Sequence, residues 1–234
     1  MRRTNERGGV FKDTRDIAAY TVTEAAHYVR VPSATLRTWV SPADGSKGGR
    51  PRTSALIHTP YSDPPILTFW NLIEAHVLRS LRTHHAVSLQ NLRKAIRYAE
   101  REFGINRLLL RKELCTDAGR VFLERYSQLI ELSASGQIAM TSVLKAHLKR
   151  VEWDKQNWPV RLWPFMETSL NSQNAGVVID PAVGFGRPIL HGAGISTSVI
   201  ADRIDAGEEI EDVARDYSIS PDDVTKALLY ERAA

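Results

Sequence analysis

Apolar residues recur at intervals of three and four over two long stretches of this chain. Leu72, Ile73, His76, Val77 and Leu81 keep to one face behind Thr68, and Leu89, Leu92, Ile96, Ala99 and Phe103 do so between Ser88 and Gly104. A hydroxyl residue ahead of such a run and a glycine behind it are helix-end signals, so the pattern predicts two amphipathic helices. Nearer the N-terminus the same period is shorter. Val22, Ala25, Ala26 and Val29 share a face, with Thr21 and Glu24 spaced as a capping box. The chain turns at Arg30-Val31-Pro32, and Ser33 is placed to cap a second helix from Ala34 to about Val40, with Leu36 and either Trp39 or Val40 turned inward.

Elsewhere the period shortens or fails. Residues 41–67 hold five of the eleven prolines and no helical repeat, but Ala55-Leu56-Ile57 and Ile66-Leu67 suit a hairpin. Residues 121–125 and 128–132 read as two strands around a tight turn, Met140 to about Lys149 as a helix, and 151–165 as another hairpin. The tryptophans of that last segment, Trp153, Trp158 and Trp163, suit either a packed core or an exposed protein-binding patch. Polar residues 166–176 read as a linker. Beyond it come two short strands, Val177–Ile179 and Arg187–Leu190, and three helices, 196–205, 210–217 and 221–232, the last opened by Ser220, Pro221 and Asp222. The predicted fold class is mainly α with small β elements. It comprises an N-terminal winged helix-turn-helix within 1–104, a central small α+β region over 105–165, and a C-terminal short-stranded three-helix module over 177–234.

Charge sharpens this division. Residues 1–112 carry 19 Lys and Arg against 9 Asp and Glu, residues 113–176 balance at 7 and 7, and residues 177–234 carry 5 against 11. A net charge of +4 thus conceals a basic front and an acidic tail, as expected where one end meets a polyanion and the other does not. No run approaches the roughly 18 apolar residues that span a bilayer, and no secretory segment opens the chain, so a cytoplasmic protein without membrane partners is expected. The single cysteine, Cys115, forms no internal disulfide. Adjacent His84 and His85 make a poor chelate without further ligands, and the sequence implies no metal and no other cofactor.

The basic front has a use for its charge. In "YTVTEAAHYVRVPSATLRTWV" the first half of the second helix is the part that faces a major groove in helix-turn-helix geometry. Thr23, Ser33, Thr35, Arg37 and Thr38 are the candidate DNA contacts there. The string resembles the N-terminal helix-turn-helix of MerR-type regulators, through Thr21 to Ala26 and Ser33 to Trp39. In the loop that follows, Lys47, Arg50 and Arg52 surround "GGRPR", and Gly49-Arg50-Pro51 is similar to an AT-hook, which lays arginine in a narrow minor groove. A solvated basic loop would have the same composition.

Four glycines crowd into "GFGRPILHGAG". A phosphate-binding P-loop requires a lysine after its last glycine, whereas Gly194 is followed by Ile195-Ser196-Thr197. A dinucleotide fingerprint needs a longer strand–helix–strand unit than remains. The glycines therefore serve tight turns between short strands. No nucleophile–histidine–acid arrangement stands out, so the chain reads as no enzyme.

Instead the segment resembles a small bacterial domain of unknown function found in VapB-like antitoxins. The resemblance runs through Ile179, Asp180-Pro181, Gly186-Arg187-Pro188, Ile189, Gly192, Ile195, Ile200, Gly207, Val213-Ala214, Tyr217, Asp223, Ala227-Leu228 and Tyr230. It departs at Ala193-Gly194, where the family carries Thr-Arg, and at Ile219-Ser220-Pro221, where a leucine is usual. The resemblance implies an antitoxin that neutralises a toxin protein, a PIN-like ribonuclease, and represses its own operon by binding operator DNA. Phe185, Arg187, His191, Asp212, Asp216, Tyr217 and Tyr230 are the candidate toxin contacts. A homodimer or larger even-numbered assembly is expected, since paired readers match pseudo-palindromic operators. Two rivals remain: a stand-alone MerR-like regulator whose C-terminal module dimerises or binds a ligand, and a nucleotide enzyme using the glycine loop.

Overall fold

A computed structural model of the chain describes residues 13–41, 55–82, 89–130, 133–164 and 176–232. Strand β1 (Tyr20–Thr21) leads directly into α1 (Val22–Tyr28). Thr21 closes the capping box: its hydroxyl accepts the Glu24 amide at 3.2 Å, and its own amide donates to the Glu24 carboxylate at 2.9 Å. Arg30 adopts a left-handed φ of 55°, and the Val31 amide reaches back to the Ala26 carbonyl at 2.9 Å, which stops the helix. Helix α2 (Ser33–Val40) follows. Ser33 does not cap it. Pro32 occupies the cap position with extended backbone, and Ser33 is the first helical residue.

The hairpin after α2 differs in register from its sequence pattern. Strands β2 (Tyr61–Ser62) and β3 (Pro65–Leu67) pair with each other, and β3 also pairs with β1, in the order β1-β3-β2. Leu56 and Ile57 form no strand; their amides converge on the Trp39 carbonyl at 2.8 and 3.0 Å, satisfying the end of α2. Helix α3 (Phe69–Arg82) starts behind Thr68, whose hydroxyl accepts the Asn71 amide at 3.2 Å. Helix α4 (Leu89–Phe103) ends at Gly104, φ +63°, while Ser88, His84 and His85 lie outside the described residues.

The strand expected at 121–125 is helical, and so are residues 128–129 of the one expected at 128–132, whose residues 131–132 lie outside the described residues. Helix α5 (Asp117–Leu129) buries Ala118, Phe122, Leu123, Tyr126 and Ser127, a recurrence at three and four residues that fits one helical face against α4. Short β-rich runs within it mimic strands because Val121-Phe122-Leu123 is β-prone in isolation, and tertiary packing overrides that preference. Helix α6 (Ala134–Leu148) packs on α3.

The remaining strands form one antiparallel sheet. Strands β4 (Val151–Trp153) and β5 (Pro159–Leu162) make a hairpin, and β5 pairs through Leu162 with Ile179 of β6 (Val177–Ile179), which pairs in turn with β7 (Pro188–Leu190). The sheet therefore continues across the linker stretch 166–176, of which only Gly176 is described. Helices α7 (Thr197–Asp205), α8 (Ile210–Tyr217) and α9 (Pro221–Arg232) close the chain, α9 opening where the Ser220 hydroxyl accepts the Asp223 amide at 3.1 Å.

Two hydrophobic cores result. One gathers Tyr20, Leu36, Trp39, Leu72, Phe122 and Leu162, together with Ile179 of β6, so residues 20–104 and 105–162 share a single interior. The second gathers Val177, Leu190, Ile200, Val213, Val224 and Tyr230. Trp153 and Trp158 pack against the first core, Trp158 stacked on Trp70 at 5.4 Å. Trp163 donates its indole N–H to Glu152 at 2.9 Å.

Inside the first core lies a histidine pair. His76 is fully enclosed and its ring lies tilted against that of His147, centroids 5.1 Å apart, with its Nε2 3.1 Å from the His147 carbonyl. Burial first, and then the nearby His147, Arg150 and Arg79, push His76 down to about 3. Its stabilising contribution is complete above the ordinary histidine value of about 6.5 and is lost as pH falls toward 3, because the unfolded chain takes up the proton first. Chemical denaturation between pH 7 and 5, above the range where carboxylates titrate, should show stability falling by up to about 1.4 kcal/mol per pH unit per proton. His76→Gln should flatten that slope; an unchanged slope assigns the pH dependence elsewhere.

Candidate nucleic-acid interface and partner surface

Helix α2 is sorted by its packing. Leu36, Trp39 and Val40 are buried, which leaves Arg37 and Thr38 exposed and Ser33 and Thr35 half-buried along the other side. The Thr38 hydroxyl donates to the Thr35 carbonyl at 2.7 Å, so in the free protein it is held by its own helix. The Arg37 guanidinium, by contrast, projects into solvent with no ion pair among the described residues. Thr23 is exposed on α1, where it lines a cavity of about 440 Å3 together with Glu24, Arg187, Ser198 and Glu231. It thus faces the C-terminal module. Lys47, Arg50 and Arg52 lie outside the described residues.

The turn between β6 and β7 presents the most exposed large apolar side chain of the described residues. Phe185 is 93% exposed, and Gly184, Phe185 and Gly186 have φ of 56°, 57° and 74°. A phenylalanine in the left-handed region carries strain of order 1 kcal/mol or more, held there by its surroundings. The surroundings are specific. A Cβ on Gly186 would lie 2.1 Å from the Tyr20 hydroxyl oxygen, which donates to the Gly186 carbonyl at 2.9 Å in a buried bond. Arg187 is exposed beside it, and His191 is half-buried against Trp163 at 5.0 Å.

The acidic candidates sit on α8. Asp212 pairs with Arg215 at 2.8 Å, and Asp216 pairs with Arg203 at 2.6 Å. Arg203 also pairs with Glu208 and lies over the Tyr217 ring at 5.2 Å, leaving Tyr217 partly covered. Tyr230 is a correction. At 1% exposure it offers no surface to a partner protein; its ring is a core member because α9 turns that face toward α1 and α7.

Around Tyr230 the chain builds a junction that periodicity alone does not reveal. The Tyr230 hydroxyl donates to the Tyr28 carbonyl at 3.3 Å, and Arg30 lies over the ring at 5.4 Å while donating to the Tyr230 carbonyl at 3.4 Å. His27 contacts Glu231 at 2.9 Å, and the same carboxylate accepts from Thr197 at the start of α7. Tyr20 and Tyr28 meet edge to face at 5.9 Å. Burial raises the pKa of Tyr20 and Tyr230 well above the usual phenol range, so both keep the proton they donate. The one sequence signal for this junction is the density of aromatic and histidine residues in "YTVTEAAHYVR", which a helix-turn-helix reading leaves without a partner.

Residues 177–230 match the family described as "Protein of unknown function (DUF433)". The chain is 30% identical over 234 residues to "Putative antitoxin VapB45" of Mycobacterium tuberculosis, covering 91% of this chain and 93% of that protein. It is 24% identical over 226 residues to "Uncharacterized protein Rv2308" of the same organism, covering 93% and 91%. The crystal structure of Rv2018 from M. tuberculosis has the same fold, with a TM-score of 0.65 at 23% identity, covering 91% of this chain and 98% of that one.

The contact between Tyr20 and Gly186 yields a direct test. Gly186→Ala adds both left-handed strain and a collision with a buried hydroxyl, so it should lower stability by roughly 2–4 kcal/mol. Gly192→Ala, at φ +88° with nothing within 4 Å of the added carbon, should cost only the backbone strain, about 1 kcal/mol. Equal losses in urea denaturation would mean that the Tyr20 contact contributes nothing.

Proposed function

The chain belongs to the family of "Putative antitoxin VapB45", and we propose that it is the antitoxin of a type II toxin–antitoxin pair. In this reading it binds and neutralises a PIN-like ribonuclease and represses its own operon. The observation that carries the reading is the placement of two opposite surfaces on one chain: the exposed Arg37 edge of α2 at the basic end, and the exposed Phe185 tip of the acidic end. Helices α1 and α2 with the β2–β3 hairpin serve as a winged helix-turn-helix. Arg37, Thr38, Ser33 and Thr35 enter the major groove of operator DNA, and the 47–52 loop follows the backbone or minor groove. Two copies on a pseudo-palindrome supply the affinity that one reader lacks.

The C-terminal module takes the toxin. Eleven acidic against five basic residues over 177–234 would meet a phosphate backbone with net repulsion, but complement the basic surface of a protein that handles RNA. Phe185 supplies an aromatic anchor, the residue type that concentrates binding energy, with Arg187, Asp212 and Asp216 as polar contacts around it. Such a protein is a regulator and an inhibitor, and not an enzyme.

Substitutions separate the two surfaces without cutting the chain. Arg37→Ala should weaken binding to the chain's own promoter DNA by roughly 1–3 kcal/mol and leave binding to unrelated DNA nearly unchanged, as read by fluorescence anisotropy. Phe185→Ala should leave promoter binding intact and weaken capture of the ribonuclease encoded beside it by about 2 kcal/mol or more in calorimetry. If no neighbouring protein is neutralised by the wild-type chain while promoter binding holds, the protein is a stand-alone regulator.

A further inference from the structure

The outward side of α4 carries Lys94, Arg97 and Arg101 at helical spacing, and all three line a groove of about 530 Å3 together with Arg125 of α5. Seven residues of helix set the outer two cations roughly 10 Å apart along its axis. The groove has one carboxylate, Glu100, and that is engaged: its Oε1 accepts the Leu108 amide at 3.0 Å. Ordinary solvated helix faces interleave opposite charges, as α5 itself does where Arg120 pairs with Asp117 and Glu124 at 3.7 and 2.9 Å. In this groove the pattern is different. Arg101 donates to the Arg97 carbonyl at 3.3 Å and Arg125 to the Gln128 side-chain oxygen at 3.3 Å, both neutral acceptors. Among the described residues no carboxylate pairs with Lys94, Arg101 or Arg125.

The groove also connects to the reading helix. A second cavity shares Arg97 and Glu100 with it and extends to Leu56 and His58. Leu56 is the residue whose amide, with that of Ile57, closes the end of α2 on the Trp39 carbonyl. This second cavity mixes Arg93, Arg97 and Arg107 with Glu74 and Glu100, Glu74 pairing with Arg107 at 3.1 Å, so the unpaired cations are concentrated on α4 and α5 and the groove adjoins the segment that closes α2. We propose that this groove is a phosphate track for duplex DNA flanking the site read by α2, an inference that rests on the DNA-binding part of the proposed function. A single strand of RNA fits less well. Base stacking needs an open aromatic face, and the groove's aromatic ring, Tyr98, has the Arg125 guanidinium over it at 5.3 Å. Rigidly spaced cations on a helix suit instead the regular phosphates of a duplex, which rise about 3.4 Å per nucleotide along each strand.

The test uses the full chain and three probes of equal length: duplex DNA from upstream of its own coding sequence, an unrelated duplex, and single-stranded RNA. The variant Lys94→Gln/Arg101→Gln/Arg125→Gln should lower the slope of log affinity against log salt by roughly 2–3 on both duplexes, at about 0.9 for each phosphate no longer neutralised. Preference between the duplexes should survive, unlike in Arg37→Ala. Should the triple variant fail to fold, Arg101→Gln alone should remove about 0.9 from the slope. An unchanged slope in a chain that still binds its duplex overturns the track and leaves the proposed function standing; so does a loss confined to RNA. Failure of the wild-type chain to bind either duplex overturns both.

Discussion

The contacts that β1 and α1 make with the C-terminal module are the constraint on which the rest of the arrangement depends. Tyr20 reaches the Gly186 carbonyl, Tyr230 reaches the Tyr28 carbonyl, and His27 meets Glu231. The bonds join residues 166 to 204 positions apart, and the hydroxyls of the buried Tyr20 and Tyr230 would be left unsatisfied in a low-dielectric interior if their partners moved away. The junction therefore fixes α1, and through the Arg30 turn also α2, relative to the β6–β7 hairpin and its exposed Phe185 tip. The continuous sheet reinforces this, since β5 and β6 pair across the stretch that divides basic from acidic sequence.

A charge division along the chain thus coexists with mechanical union. The basic and acidic ends differ in what they attract, yet neither is a freely tethered module. A substitution at Tyr20 or Tyr230 would perturb both surfaces at once, whereas changes at Arg37 or Phe185 act on one. Removing residues 177–234 would expose the edge of β5, uncover Tyr20 and Tyr28, and strip Ile179 from the first core. Such a truncation reports on folding as much as on partner choice.

Much of the helical framework was legible because amphipathic period and end signals agree. Thr21, Thr68, Gly104 and Ser220 mark real helix ends, and left-handed Gly184, Gly186, Gly192 and Gly194 flank the strand at 188–190. Two kinds of information were not local. Residues 121–129 carry β-prone side chains that α4 recruits into a helix, so their fate depends on a neighbour about thirty positions away. The tight pairing of Leu56 and Ile57 with the end of α2 likewise reflects an orphan carbonyl at Trp39, which no alternation of apolar residues records. At the candidate site, the exposure of Arg37 follows from the burial of Leu36 and Trp39, and helical period predicts it. Tyr230 does not follow, because only the folded junction shows that its aromatic ring belongs to the interior.

Helices α1 and α2 and the acidic module form one cooperative body through this junction. Amide hydrogen exchange measures it directly, because protection reports the local free energy of opening. In a chain ending after residue 164, amides of Val22–Val29 are expected to exchange markedly faster than in the full chain, while those of α4 keep their protection. Equal protection of α1 in the two chains would contradict it and would make the C-terminal module an independent appendage.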